Sequence, residues 1–382
     1  MKRWNGWGDD AIDYEVPGPA ISYLADIIGR LSPTPDASFE DVLKSIPGSK
    51  LPTHPLVDIT AETRLLHARG HSTPDWVALR SGRIGKVPDG VAFPDNEQDV
   101  RDLLQFSKQV GAKVIPYGGG TSVVGHITPW KDDAPVLTLS MEHMNRMVAL
   151  DEMSRTAVFE SGVTGPELES SLSKHGYVLG HFPQSFEYST LGGWIATRSS
   201  GQQSYRYGRI EQLFAGGRME TPRGTIELPH FPASAAGPDL KEMVLGSEGR
   251  MGVITQARVK IRRLPEAEEF HGVFFKSWEE GMTAVRQLVQ EELPLSMLRL
   301  SNPLETWTTL ILSGKSWINA ADKGLRLIGY NENRCLLLFG VTGKTDKVRR
   351  TLSQTISICR KNGGLFVGKV VGHTWEKSRF RS

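Results

Sequence analysis

Apolar positions recur at helical spacing in the first half of the chain, at Val100, Leu103, Leu104 and Val110, and Gly111 supplies a stop. Asp95-Asn-Glu-Gln98 ahead of them has the form of a capping box. Ala112-Lys-Val-Ile115, Val136-Leu-Thr-Leu139 and Thr156-Ala-Val-Phe159 read as strands, as do residues 226–228 and 252–262. Thr164-Gly-Pro-Glu167 is a second capping box, opening a helix to about His175 that Gly176 ends. Short strands among few helices predict an α+β domain over residues 86–265. Pro265 marks a boundary. Beyond it, strands at 270–275, 297–300, 334–341 and 365–371 alternate with helices at 278–292, 304–312 and 345–361. That order predicts a second, α/β domain of the ferredoxin-like, split β-α-β kind. Residues 1–85 show little periodicity, with short helices at 24–31 and 62–69, and read as an N-terminal extension packed on a domain.

Composition narrows the function. Lys plus Arg is 45 and Asp plus Glu 43 in 382 residues, and a net charge of +2 argues against nucleic acid or a charged membrane surface as partner. The two cysteines, Cys335 and Cys359, match no metal or redox spacing. The first ten residues carry Lys2 and Arg3 but no apolar run behind them, and no stretch reaches the roughly 18 apolar residues of a membrane span. The expected compartment is the cytoplasm.

Three glycine-rich segments carry the candidate chemistry. The first is Pro116, Tyr117, Gly118, Gly119, Gly120, Thr121 and Ser122, directly after a strand. Three glycines open backbone N–H groups with no Cβ in the way, and two hydroxyls add donors, a combination suited to an anion. Alone it reads equally as a ligand cradle or a tight structural turn. It is not a Rossmann loop, because position 123 is Val and the helix precedes the strand. Gly343-Lys-Thr345 and Gly314-Lys-Ser316 lack the upstream glycine of a Walker loop. The second segment is Gln184, Ser185, Phe186, Glu187, Tyr188, Ser189 and Thr190, running through Leu191-Gly-Gly-Trp194 to Thr197, Arg198, Ser199 and Ser200. Its small side chains around a helix start suit an anion or a carbonyl-rich ring, but taken alone the segment reads more readily as an unliganded loop. The third is Glu248, Gly249, Arg250, Met251, Gly252, Val253 and Ile254, which alone a turn or β-bulge explains as well. The histidine pairs His67/His71 and His175/His181 have no third partner at ligand spacing and read as structural.

In this order and spacing the three segments resemble the flavin-binding domain of the vanillyl-alcohol oxidase, or PCMH-type, superfamily. The chain is most similar there to the alkylglycerone-phosphate synthase branch and its bacterial FAD-linked oxidase relatives. Trp4-Asn-Gly-Trp-Gly8 and Leu51-Pro-Thr-His-Pro-Leu-Val-Asp58 look like that branch's N-terminal region. The resemblance implies a two-subdomain FAD-binding domain followed by a substrate cap domain. It implies that all three segments contact FAD, non-covalently, although His126 just past the first loop keeps a covalent link open. Relatives have Thr-Leu where this chain has Arg250-Met251, which places a long cation near the flavin. Arg299, between Leu298 and Leu300, matches a family arginine on the substrate face and would pair with a phosphate or carboxylate.

The implied reaction is exchange of an acyl for an alkyl group on dihydroxyacetone phosphate in ether lipid synthesis. Oxidation of a D-2-hydroxy acid and a non-catalytic FAD-binding remnant are the alternatives. The partner is a small-molecule substrate; a homodimer and a peripheral membrane contact stay open. Relatives continue past Gly372-His-Thr-Trp-Glu-Lys-Ser-Arg-Phe380 into a segment bearing a catalytic tyrosine and histidines, so the resemblance predicts a chain that ends early.

Overall fold

The computed structural model describes residues 2–12, 15–29, 35–233, 235–312 and 318–380. Leu31, the Gly314-Lys-Ser316 stretch and the last two positions lie outside them. The chain divides into two compact units. One is made of Met1–Ala11, Thr34–Gln202 and Tyr207–Arg263, the other of Ile12–Pro33, Gln203–Arg206 and Leu264–Ser382.

The first unit holds two main sheets. Strands β1 (Val57–Asp58), β2 (Gly90–Ala92), β3 (Lys113–Tyr117) and β4 (Val136–Ser140) pair in the order β1-β2-β4-β3. β4 runs parallel to both neighbours and is buried along its whole length, which is why its sequence is free of charged residues. The Glu97–Val110 helix closes this sheet. Val100, Leu103 and Leu104 enter a core with Leu137 and Leu139, and Gly111 ends the helix at φ 68°. Its cap is shifted by one residue from the expected Asp95/Gln98 box. Asn96 accepts from the Gln98 and Asp99 N–H groups, while Asp99 reaches back to the Asp95 N–H at 3.0 Å. The shorter Asp99 side chain does the work expected of Gln98.

The second sheet is antiparallel. It comprises β5 (Met147–Asp151), β6 (Thr156–Glu160), β8 (Phe214–Thr221), β9 (Gly224–Leu228) and β10 (Val253–Lys260), in the order β5-β6-β10-β8-β9. β7 (Tyr177–Val178) pairs separately with β11 (Arg262–Arg263), so the strand expected over 252–262 is broken after Lys260. The Thr164/Glu167 capping box forms as expected, opening a Gly165–Ser173 helix that stops two residues short of His175.

The two sheets are tied through Glu220, whose side chain is fully buried. Arg101 of the Glu97–Val110 helix approaches it at 3.1 Å, Arg218 at 2.8 Å and the Thr225 hydroxyl at 2.6 Å. Desolvation alone would raise this carboxyl, but the Thr225 and Arg218 hydrogen bonds and the two guanidinium charges outweigh it and hold it below its ordinary value. Both arginines keep about a third of their surface in water, 35% and 32%, which screens the pairs. Glu220→Gln should therefore cost about 2 kcal/mol in urea denaturation at neutral pH. A folded carboxyl that is depressed stabilises above the unfolded value of about 4.3 and loses that contribution as pH falls through the folded value. The difference between the two proteins should accordingly shrink in acid.

The second unit is one antiparallel sheet of β12 (Ala267–Phe275), β13 (Leu295–Ser301), β14 (Cys335–Gly343) and β15 (Leu365–Gly368), in the order β13-β14-β12-β15. With helices Trp278–Gln290 after β12 and Thr345–Lys361 after β14, this is the expected ferredoxin-like, split β-α-β topology. Both helices press on one face, where Leu288, Val348 and Ile358 meet Val273, Phe275, Leu337 and Phe339. Helices Pro303–Leu312 and Ile318–Leu327 lie between β13 and β14 in sequence. The Gly18–Ile28 helix also belongs to this unit, its Tyr23 hydroxyl 3.3 Å from that of Thr308.

The last strand stops at Gly368, three residues before the expected end. Gly368 sits at φ 72°, and Lys369–Ser378 is a helix. The run Val-Gly-Lys-Val-Val reads as strand by composition, but Val371 and Trp375, four apart, both pack against Phe270 and its neighbours. Gly372 permits this approach, since a Cβ there would lie 2.1 Å from the Phe270 carbonyl oxygen. Among the described residues no helix is long and apolar enough to cross a membrane, and no cluster of His, Cys, Asp or Glu could hold a metal ion.

Candidate functional site

The glycine loop begins inside a strand. Pro116 and Tyr117 are the last two residues of β3, and Tyr117 is buried. Beyond them Gly118 and Gly119 run against the second segment so closely that no side chain fits. A Cβ on Gly118 would lie 2.3 Å from Thr190 Oγ1, and one on Gly119 would lie 1.6 Å from the Tyr188 carbonyl oxygen. Gly120 turns the chain at φ 72°. Among the described residues, none accepts from the backbone N–H groups of Gly118, Gly119, Gly120 or Thr121. Consecutive donors without internal partners are what an anion-binding nest requires. Ser122 closes the loop: its carbonyl accepts from the His71 N–H at 2.6 Å, and its hydroxyl lies 3.2 Å from His126 Nδ1.

The second segment folds as a turn and a short helix. Ser185 O accepts from the N–H groups of Tyr188 and Ser189. Phe186 packs against Gly165, and Gln184 is joined by the Gln202 amide at 2.9 Å. Glu187, Thr197 and Ser200 are exposed. Thr190 caps the Leu191–Thr197 helix, and the Ser189 hydroxyl accepts from Trp194 Nε1 at 2.7 Å. The helix start is not a donor site, contrary to expectation. The N–H of Leu191 goes to Val163 O, that of Gly192 to Ser161 O and that of Gly193 to Thr190 Oγ1. Arg198 ends the helix in the left-handed region at φ 54° and ion-pairs with Glu242, while the Ser199 hydroxyl lies 2.7 Å from His181 Nε2.

The third segment docks on the other two. The Glu248 N–H donates to Ala196 O at 2.9 Å, and a Cβ on Gly249 would come 3.1 Å from Pro116 Cγ. Arg250 is exposed, and Met251 lines a shallow groove with the β8–β9 hairpin. Gly252 must lack a side chain because Glu220 O would lie 2.5 Å from its Cβ. Val253 and Ile254 enter β10, and Val253 packs into the apolar core beside Leu137, so its side chain is unavailable to a ligand.

The surroundings hold neutral side chains. Burial pulls His181 and His71 down to about 4, the Lys2 charge adding to the effect at His71. His71 Nδ1 accordingly accepts from Trp76 Nε1 at 2.9 Å. Burial also lowers His126 and His67 and raises the Tyr117 phenol. Ser140 Oγ, Ser161 Oγ and His181 Nδ1 are buried with no hydrogen-bond partner among the described residues. Lys2, Trp7, His71 and His181 all border the loops, and sequence reasoning did not single them out as site residues. The signals were the Trp4-Asn-Gly-Trp-Gly8 segment for Lys2 and Trp7, which shows no periodicity of its own, and the histidine pairs read as structural for His71 and His181.

Arg299 belongs to the second unit. It projects from β13 on the face opposite Leu298 and Leu300, is half exposed, and ion-pairs with Glu305 of the Pro303–Leu312 helix.

A family model described as "FAD binding domain" matches residues 88–228, and one described as "FAD linked oxidases, C-terminal domain" matches residues 264–378. An alkyldihydroxyacetonephosphate synthase of Dictyostelium discoideum is 35% identical over 83% of this chain and 53% of its own length. One of Trypanosoma brucei brucei is 31% identical over 99% of this chain and 68% of its own. A solved alkyldihydroxyacetonephosphate synthase structure superposes with a TM-score of 0.86 at 31% identity, covering 99% of this chain and 75% of that one. The chain belongs to the PCMH-type FAD-linked oxidase family. Its cofactor is the family's FAD, and the family's members are enzymes acting on small molecules. The chain spans about half the length of the Dictyostelium relative, 53%. The residues present fit FAD. The free N–H groups of Gly118–Thr121 suit its diphosphate, and the orphaned polar atoms of Ser140, Ser161 and His181 suit a ligand rich in donors and acceptors.

Proposed function

We propose that the chain is an FAD-dependent enzyme of the alkylglycerone-phosphate synthase kind, exchanging the acyl group of an acyl-dihydroxyacetone phosphate for an alkyl group. The observation that carries this reading is the match of 99% of the chain to a solved synthase at a TM-score of 0.86. In this reading residues 86–265 hold FAD, residues 266–382 form the substrate domain and residues 1–85 are an N-terminal extension.

The N–H groups from Gly118 to Thr121 would bind the diphosphate, with Pro116, Tyr117 and Ser122 shaping the loop. Residues 184–190, 197–200 and 248–254 would line the rest of the dinucleotide, Val253 and Ile254 through their backbone. FAD supplies, when bound, a ring that can act as nucleophile or electron acceptor. The protein's own part is to hold the substrate anion, and the Arg299 guanidinium suits a phosphate by its paired donors. In the net exchange the carbon–oxygen bond to the fatty acid breaks and one to the fatty alcohol forms. The alcohol's proton leaves with the carboxylate, and nothing is oxidised.

The test is to incubate the FAD-loaded chain with acyl-dihydroxyacetone phosphate and a labelled fatty alcohol. The expected result is labelled ether lipid with no net bleaching of the flavin. Bleaching by a D-2-hydroxy acid without ether formation would favour the oxidoreductase alternative. Bound flavin with neither activity would favour a non-catalytic remnant.

A further inference from the structure

The N-terminal segment meets the glycine loop at a place that no motif assigns. Lys2 and Asp9 face each other in an antiparallel bridge, and the Arg3 N–H donates to the Gly8 carbonyl at 2.9 Å, so the intervening residues form a tight hairpin. The Trp4 ring centre lies 5.4 Å from that of Phe39, and Trp4 packs into the cluster of Val42, Leu65 and Leu79. Trp7 stands edge-on to His71 and Tyr188, at 5.0 and 5.2 Å. So fastened, the hairpin places the Lys2 ammonium 2.6 Å from the Gly119 carbonyl oxygen, to which it donates.

That bond has a geometric consequence. The Gly119 carbonyl and the Gly120 N–H belong to one planar trans peptide and point in opposite directions. A donor that holds the carbonyl turns the N–H to the other side. Three consecutive glycines left unpinned would populate many peptide orientations. We infer that Lys2 is a positioning residue for the cofactor's diphosphate, pinning the Gly119–Gly120 peptide so that the loop's N–H groups are pre-organised and adding a positive charge beside them.

This inference rests on the FAD reading of the loop. The charged and titratable groups facing the ammonium among the described residues are Glu142, His67, His71 and the Tyr117 hydroxyl. Burial keeps the two imidazoles and the phenol neutral near pH 7, leaving Glu142 as the anion among them. Lys2 keeps contact with solvent while other atoms crowd around it. Their desolvation, opposed by Glu142, brings it down to about 8.

The test is FAD affinity, read by flavin fluorescence on the full chain freed of flavin, for wild type, Lys2→Met and Lys2→Arg. Lys2→Met should weaken FAD binding about tenfold or more, the worth of a charge-assisted hydrogen bond. Its affinity for riboflavin, which lacks the diphosphate, should not change, and Lys2→Arg should restore most of the loss for FAD. Wild-type affinity should fall as pH rises through about 8, where the ammonium loses its proton, and the Lys2→Met profile should be flat there. FAD binding by Lys2→Met as tight as wild type, or equal losses for FAD and riboflavin, would overturn the inference. A folded wild type that binds no FAD would overturn the reading of the loop, and the positioning role with it; the wild-type arm separates that failure from the first.

Discussion

Gly119→Val removes FAD binding from the chain. A Cβ at this position would lie 1.6 Å from the Tyr188 carbonyl oxygen, well inside contact distance and against backbone rather than a mobile side-chain tip. The clash can be relieved only by moving the glycine loop away from Tyr188–Thr190. That shift would disperse the free N–H groups of Gly118, Gly119, Gly120 and Thr121. Each such group is worth about 1.5–3 kcal/mol against a charged acceptor, so losing two of them weakens FAD at least about a hundredfold. Fluorescence titration with FAD measures the effect. Circular dichroism of the same sample should retain the helix and strand signal, because Gly119 lies outside both sheets. Valine at Gly111, where a Cβ meets nothing within 4 Å, is the matched control: it strains φ 68° without touching the loop and should bind FAD normally.

Arg299→Met should leave FAD affinity within about twofold and lower kcat/KM for the phosphorylated substrate by about a hundredfold to a thousandfold, the range for removing one anchor of an anionic group. The side chain contributes little to stability. It is 53% exposed and its partner Glu305 40% exposed, and such pairs are worth roughly 0–1 kcal/mol. The apolar face of β13 is carried by Leu298 and Leu300 instead. A fall in turnover with an unchanged melting temperature therefore separates a substrate-binding role from a surface ion pair. Arg299→Lys keeps the charge but not the paired donors and should recover only part of the rate. If Arg299→Met turns over like wild type, the arginine is a surface ion pair and the substrate anion is held elsewhere.

Periodicity and capping made most of the fold legible. The Thr345–Lys361 helix is found at its expected bounds, because Val348, Thr351, Thr355 and Ile358 keep one face at three- and four-residue spacing. Several short helices were not legible. The helices Thr73–Ser81 and Ile318–Leu327 are not among the elements that the apolar pattern predicts, although Ser72 and Asp75 form a full capping box in the first of them. At nine and ten residues they offer few turns over which a period can repeat. The 369–378 helix was hidden by its valines, which favour a strand until Val371 and Trp375 are seen to share a partner.

The site was legible to a different depth. The three glycine segments pack against one another, as the family resemblance implied, yet the reason differs from open access alone. Gly118, Gly119, Gly249 and Gly252 are glycine because the Thr190 side chain, the backbone of Tyr188 and Glu220, and the Pro116 ring press on them. The reading of the Leu191 helix start as a donor site failed because Val163, Ser161 and Thr190 already take its N–H groups. Long-range partners such as these, and Lys2 on Gly119, leave no mark at fixed spacing in the sequence.

The most direct test of the account is the visible absorption spectrum of the purified chain after incubation with FAD and desalting. Flavin bands that stay with the protein in stoichiometric amount, and are lost in Gly119→Val, are the predicted result. A folded chain that passes through the column colourless, its circular dichroism intact, would contradict the assignment of the three glycine segments to FAD.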